Sequence, residues 1–114
     1  KCSVYCPKRE SLPGAFTLSA GDCLNFGNLK IKTIQTSGHS PGALSYIVKD
    51  GELRIAFVGD AIFCLSMGKA PCAYQEALEN NRTQLLSLPE TTVLCPGHGP
   101  ITSVANEKKH NPFF

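Results

Sequence analysis

Two histidines and one aspartate stand in settings that suit chemistry: His39 in Thr36-Ser37-Gly38-His39-Ser40-Pro41-Gly42, Asp60 in Phe57-Val58-Gly59-Asp60, and His98 in Pro96-Gly97-His98-Gly99-Pro100. Neutral imidazole and carboxylate are donors that divalent zinc, iron or manganese accept, and the neighbouring glycines let backbone crowd close to a shared ion. Taken singly, each has a plainer reading, since a histidine in a Gly-Pro turn or an aspartate after glycine is commonly a turn former. Position is what joins them. Each follows a β-rich segment, so the three side chains can converge at one edge of a sheet.

The elements that must position them can be read from pattern. Residues 11–22 are rich in Ser, Gly and Pro and read as a loop. Residues 23–26 and 29–34 alternate around Gly27-Asn28, a hairpin signal. Residues 43–48 and 53–58 form a second hairpin joined by Lys49-Asp50-Gly51-Glu52, and its second strand runs directly into Gly59-Asp60. Over residues 74–88 the composition shifts to Gln, Glu, Ala, Leu, Asn and Arg, with Tyr74, Ala77, Leu78, Leu85 and Leu88 near one helical stripe, and Pro89 ends the helix. A short buried strand over 91–95 leads into the His98 turn, and Ser103 is placed to cap a last helix that Asn111-Pro112 breaks. Strands, helix, strand and helix in this order give an α/β (α+β) layered fold with a mostly antiparallel or mixed sheet.

Composition narrows the setting. With 114 residues the chain holds at most one modest core. Eleven basic and nine acidic side chains leave a net charge of +2, and no basic run exceeds Lys108-Lys109, so no electrostatic footprint for nucleic acid is expected. Six cysteines would suit a disulfide framework in a small secreted chain, but Cys64 and Cys95 sit in apolar runs, as a thiol packed like a small hydrophobe does. No CxxC pair exists, and Cys2-x3-Cys6 lacks a second pair for a zinc knot. Without a signal-like opening or a run near 18 apolar residues, the expectation is a soluble, cytoplasmic protein with no membrane partner.

The three motifs, in their order and with the hairpin and helix between them, resemble the later motifs of the metallo-β-lactamase fold hydrolases, glyoxalase II-like proteins in particular. The ending Asn111-Pro112-Phe113-Phe114 is similar too, so the resemblance runs over nearly the whole chain. It implies that His39 ligates one metal, that Asp60 bridges two and is the catalytic carboxylate, and that His98 ligates the second. It also implies two divalent ions in a complete domain, zinc first, with iron or manganese as alternatives. The family's His-x-His-x-Asp-His motif has no counterpart, because the only histidines are His39, His98 and His110. Residues 1–114 are therefore expected to be the C-terminal part of one such domain, half of an αββα sandwich, leaving one sheet face without its partner. Three ligands spread over two metals bind weakly, so little or no metal is expected on this chain alone; the remaining ligands would come from the missing N-terminal half or a partner subunit.

The chemistry the resemblance implies is attack by a metal-held hydroxide on a thioester or other ester-type carbonyl of a small-molecule substrate. Ser40 is a candidate to support His39 from behind. Lys69 lies where glyoxalase II relatives hold part of their substrate, although a solvated loop lysine is the plainer reading. Two alternatives stay open: a ribonuclease-like phosphodiesterase of the same superfamily, and a non-catalytic chain that pairs its bare sheet face with a partner. His110, beside Lys108-Lys109, reads as an exposed helix end.

Overall fold

In the computed structural model, which describes residues 2–114, the chain is built around one six-stranded sheet. Its strands are β3 (Cys23–Phe26), β4 (Leu29–Gln35), β5 (Leu44–Asp50), β6 (Leu53–Gly59), β9 (Val93–Pro96) and β10 (Thr102–Ser103). They lie in the order β10-β9-β6-β5-β4-β3; every pairing is antiparallel except β6 with β9. Both expected hairpins are present. In the second, Lys49 and Asp50 belong to β5, and the turn shrinks to Gly51-Glu52, because Gly51 takes the positive φ that a tight hairpin needs. Parallel strands require a crossover, and the stretch between β6 and β9 supplies it with the short hairpin β7 (Ile62–Phe63) and β8 (Ser66–Met67), then α1 (Tyr74–Asn80).

The expected 74–88 helix is interrupted. After α1 the chain widens into a π-helical turn over Asn81–Leu85, with the Leu86 amide donating to the Asn81 carbonyl five residues back. Buried Asn81 reaches the Ala61 carbonyl at 2.9 Å, and the extra residue in the turn changes the helical phase. Ala77 and Leu78 consequently pack with Met67 and Ala70, while Leu85 and Leu86 join the main core. A single stripe in sequence thus serves two clusters. The last helix, α2 (Val104–His110), is capped as expected: the Ser103 hydroxyl accepts from the Asn106 amide, and exposed His110 ends it.

Small elements escaped the pattern reading. The expected loop over 11–22 contains β2 (Phe16–Leu18), which pairs in parallel with β1 (Tyr5–Pro7). Strands of two or three residues are too short for alternation to register. Of the cysteines, Cys6 is buried, Cys64 and Cys95 are half-buried, and all six are free thiols.

The two faces of the sheet differ. Ile47, Ala56, Val58 and Leu94 on one face form the core with Leu85, Leu86 and Val104 from the helical layer. On the other, cross-strand partners Ile31, Val48, Ile55 and Val93 make an apolar row, beside which Phe57 stays 48% exposed. Tyr46 shares this face, its pKa raised by burial and by nearby Cys6. The β1–β2 pair reaches this face only near Tyr46, through Cys6, and the Ile31-Val48-Ile55-Val93 row remains partly exposed.

Candidate metal centre

All three candidate ligands sit at one rim of the sheet, in the turns that follow β4, β6 and β9. Asp60 lies between the imidazoles: its Oδ2 is 3.4 Å from His39 Nε2 and 3.6 Å from His98 Nε2. Residues 21 and 38 positions away in sequence thereby converge on one carboxylate oxygen.

Each arm is held differently. His39 belongs to a turn that is clamped onto α1: the buried Ser37 hydroxyl donates to the Glu76 carboxylate, and Asn80 Nδ2 donates to the Ser37 carbonyl at 2.8 Å and to its hydroxyl at 3.2 Å. The ring itself is oriented by Nδ1, 2.8 Å from the Lys69 carbonyl oxygen. Ser40, expected to take the supporting role, instead closes the turn through its backbone carbonyl, which accepts from Gly38 and Ala43. The Lys69 carbonyl takes the supporting role behind the ring, and Ser37 anchors the turn. The partners Glu76 and Asn80 lie 39 and 43 residues along the chain, and nothing in local pattern marks them.

Asp60 is placed by backbone. The Gly97 amide donates to the Gly59 carbonyl at 2.9 Å, drawing the His98 turn against the end of β6. A Cβ on Gly97 would overlap Asp60 Oδ1, and one on Gly68 would overlap the Asp60 carbonyl oxygen. Two glycine backbones therefore pass where no side chain fits. His98 has less support, namely an edge-on contact with the Phe63 ring at 5.9 Å between centroids. The side chains of Asp60, His39 and His98 are 27%, 43% and 77% exposed, so the rim opens progressively toward His98.

A buried hub underlies this rim. Fully buried Glu107 accepts hydrogen bonds from Thr102, Asn106, Asn111 and the Leu65 amide, the last at the positive-φ turn between β7 and β8. Burial alone would raise its pKa, but the four hydrogen bonds outweigh it and hold the carboxyl below its ordinary value. The hub fixes the hairpin that leads into Gly68 and Lys69, and so the carbonyl that orients His39.

The donors fit a divalent cation. A carbonyl oxygen only accepts, so His39 Nδ1 carries the hydrogen and, in the neutral ring, Nε2 presents a lone pair to the Asp60 carboxylate. Lone pair and carboxylate repel unless a cation or proton lies between them. The separations exceed a good N–H···O hydrogen bond. They are close to the edge of a tetrahedron with metal bonds of about 2.0–2.1 Å, roughly 3.3–3.4 Å. The set is nonetheless incomplete: among the described residues no group of three or more His, Cys, Asp or Glu side chains is placed to hold a metal ion by itself. Lys69 is exposed and lines, with Met67, Gly68, Ala70, Pro71, Tyr74 and Phe113, a mainly apolar cavity of about 380 Å³ beside the rim.

No family model matches the chain. It is similar to a probable metallo-hydrolase, YqgX, of Bacillus subtilis, at 43% identity over 94 residues, 80% of this chain and 44% of the relative. It is also similar to the hydroxyacylglutathione hydrolase GloC of Haemophilus influenzae, at 30% identity over 106 residues, 90% of this chain and 49% of the relative. A crystal structure of a metallo-β-lactamase from Staphylococcus aureus superposes with a TM-score of 0.87 at 21% identity, over 98% of this chain and 40% of that one. The chain thus spans about half the length of the curated relatives it matches. No helix among the described residues is long and apolar enough to cross a membrane.

Proposed function

We propose, from the premise that this chain carries the metallo-β-lactamase fold and resembles its metal-dependent hydrolases, glyoxalase II-like ones included, that its rim is one side of a hydrolytic metal centre acting on a thioester or other ester-type bond. His39 and His98 would each hold a divalent ion, and Asp60 would be shared between them. Such ions lower the pKa of water from about 15.7 to roughly 7 and polarise the carbonyl under attack. The observation that carries the reading is Asp60 Oδ2, faced by imidazole nitrogens at 3.4 and 3.6 Å with one tautomer already set by the Lys69 carbonyl.

The chain's own residues have distinct tasks. Ser37, Glu76 and Asn80 hold the His39 turn against α1, so the imidazole keeps its aim when the site is empty. Gly97 brings its backbone against the Asp60 carboxylate and Gly68 brings its own against the Asp60 carbonyl, which fixes the surroundings of the acid. Beside them the apolar cavity can accept an acyl group, with the Lys69 ammonium at its mouth for an anionic part of the substrate. We place residues 1–114 as the C-terminal part of one catalytic domain. The remaining ligands would come from a complementary half that docks on the open sheet face, in the same polypeptide or a partner subunit, where Phe57 and the Ile31-Val48-Ile55-Val93 row give it an apolar seat.

The test uses the full-length protein. Metal content and hydrolysis of acyl-glutathione thioesters and of phosphodiesters are measured for the native protein and for His39→Ala, Asp60→Ala and His98→Ala. The reading expects two metals per protein, thioester turnover above phosphodiester turnover, and loss of both metal and turnover in each variant. Undiminished metal in the His39→Ala/His98→Ala double variant would contradict it.

A further inference from the structure

The edge of the sheet opposite the metal rim carries a second chemical feature. Lys30, Lys49 and Arg54 are direct cross-strand partners on β4, β5 and β6, and Lys32 lies beside them on the same face. Like charges directly opposite one another destabilise a sheet. Here three adjacent strands place them in line. No carboxylate among the described residues comes within ion-pairing distance of any of the four; the one Lys-carboxylate pair is Lys108 with Glu90, and Asp22 is engaged by the Ser19 amide. Asp50 follows Lys49 in the same strand and so points to the other face.

The cations do not stand on a flat surface. They ring a cavity of about 390 Å³ whose floor is Ile34, Ile47 and Leu88. That volume falls in the range of small-molecule sites, roughly 300–1,000 Å³. The cavity lies on the helix-covered face, so docking of a second layer on the open face leaves it accessible. Arg54 and Asp60 stand at opposite ends of the β6 run, about 20 Å apart at roughly 3.3 Å per residue, so the cavity is separate from the metal rim.

We infer that this cavity binds a small phosphate ester with at least two negative charges and an aliphatic portion. The charges would be shared among Lys30, Lys32, Lys49 and Arg54, relieving their mutual repulsion, while the aliphatic part covers Ile34, Ile47 and Leu88. Arg54 supplies the forked donor that fits phosphate, and the lysines supply point charges. A soluble phosphate ester and the headgroup of an anionic lipid offer the same chemistry.

Full-length protein and its Lys49→Gln/Arg54→Gln variant are titrated by calorimetry at physiological salt with decyl phosphate below its micelle concentration, with pyrophosphate, and with phosphatidylcholine vesicles containing phosphatidic acid. Decyl phosphate is expected to bind and to raise the melting temperature, with at least tenfold weaker binding in the variant and unchanged thioester hydrolysis. Capture by the acidic vesicles alone assigns the lipid as the source, and binding of decyl phosphate alone assigns a free ester; either supports the inference if the double substitution abolishes it. It is overturned if no probe binds, if pyrophosphate binds as tightly as decyl phosphate, or if the variant binds as the native protein does.

Discussion

The turn that carries His39 and the turn that carries His98 face the same carboxylate oxygen but are built to different standards. The first is tied down at Ser37 by two helix side chains and at its ring by a backbone carbonyl. The second is anchored by one backbone hydrogen bond and an aromatic edge, and its imidazole is 77% exposed. One imidazole is oriented by the fold itself, whereas the other has room to adjust. A centre assembled this way has its weak point where the structure is open, on the side a complementary half would cover.

The comparison can be broken at its shared member. Asp60→Asn should lower metal affinity on both sides and reduce turnover by more than the 10–100-fold that loss of an outer partner typically costs, measured by metal titration and initial rates. Gly97→Ala pushes a methyl group into Asp60 Oδ1. It should cost about 1–3 kcal/mol in denaturant unfolding, as overpacking does, and weaken metal binding while the sheet persists.

The difference between the turns is sharpened by a matched pair of substitutions. Asn80→Ala unties the His39 turn and should lower metal affinity about tenfold. Phe63→Leu removes only the edge contact on a mostly exposed His98 and should change it about twofold, the low end of the roughly 0.5–1.5 kcal/mol that such ring contacts are worth. Equal effects in the two variants would remove the distinction.

A smaller effect concerns pH. Glu107 has its pKa held below the usual carboxylate value in the folded protein, so its stabilisation is complete above the unfolded value and is lost as pH falls through the folded one. Acid unfolding below about pH 4.5 should therefore be less steep in Glu107→Gln, which no longer titrates.

Much of this organisation was legible in the sequence because it is local. Gly27-Asn28 and Asp50-Gly51 announced the hairpins, Ser103 announced the cap of α2, and three glycine-flanked candidate ligands followed strands. What escaped depends on contacts between distant segments. The π-helical turn follows from Asn81 reaching Ala61, a residue 20 positions earlier. The support expected of Ser40 comes from the Lys69 carbonyl, 30 residues along the chain, while Glu76 and Asn80 anchor the turn at Ser37. The basic ladder was invisible to a search for charge runs, since Lys30, Lys49 and Arg54 become neighbours only when three strands pair.

The central claim is that His39, Asp60 and His98 belong to one metal centre with Asp60 in common. Anomalous diffraction from crystals of the metal-loaded full-length protein tests it most directly. The account predicts ion density within about 2.0–2.2 Å of His39 Nε2, of His98 Nε2 and of the Asp60 carboxylate. Metal bound elsewhere, with these three side chains left unligated, would contradict it.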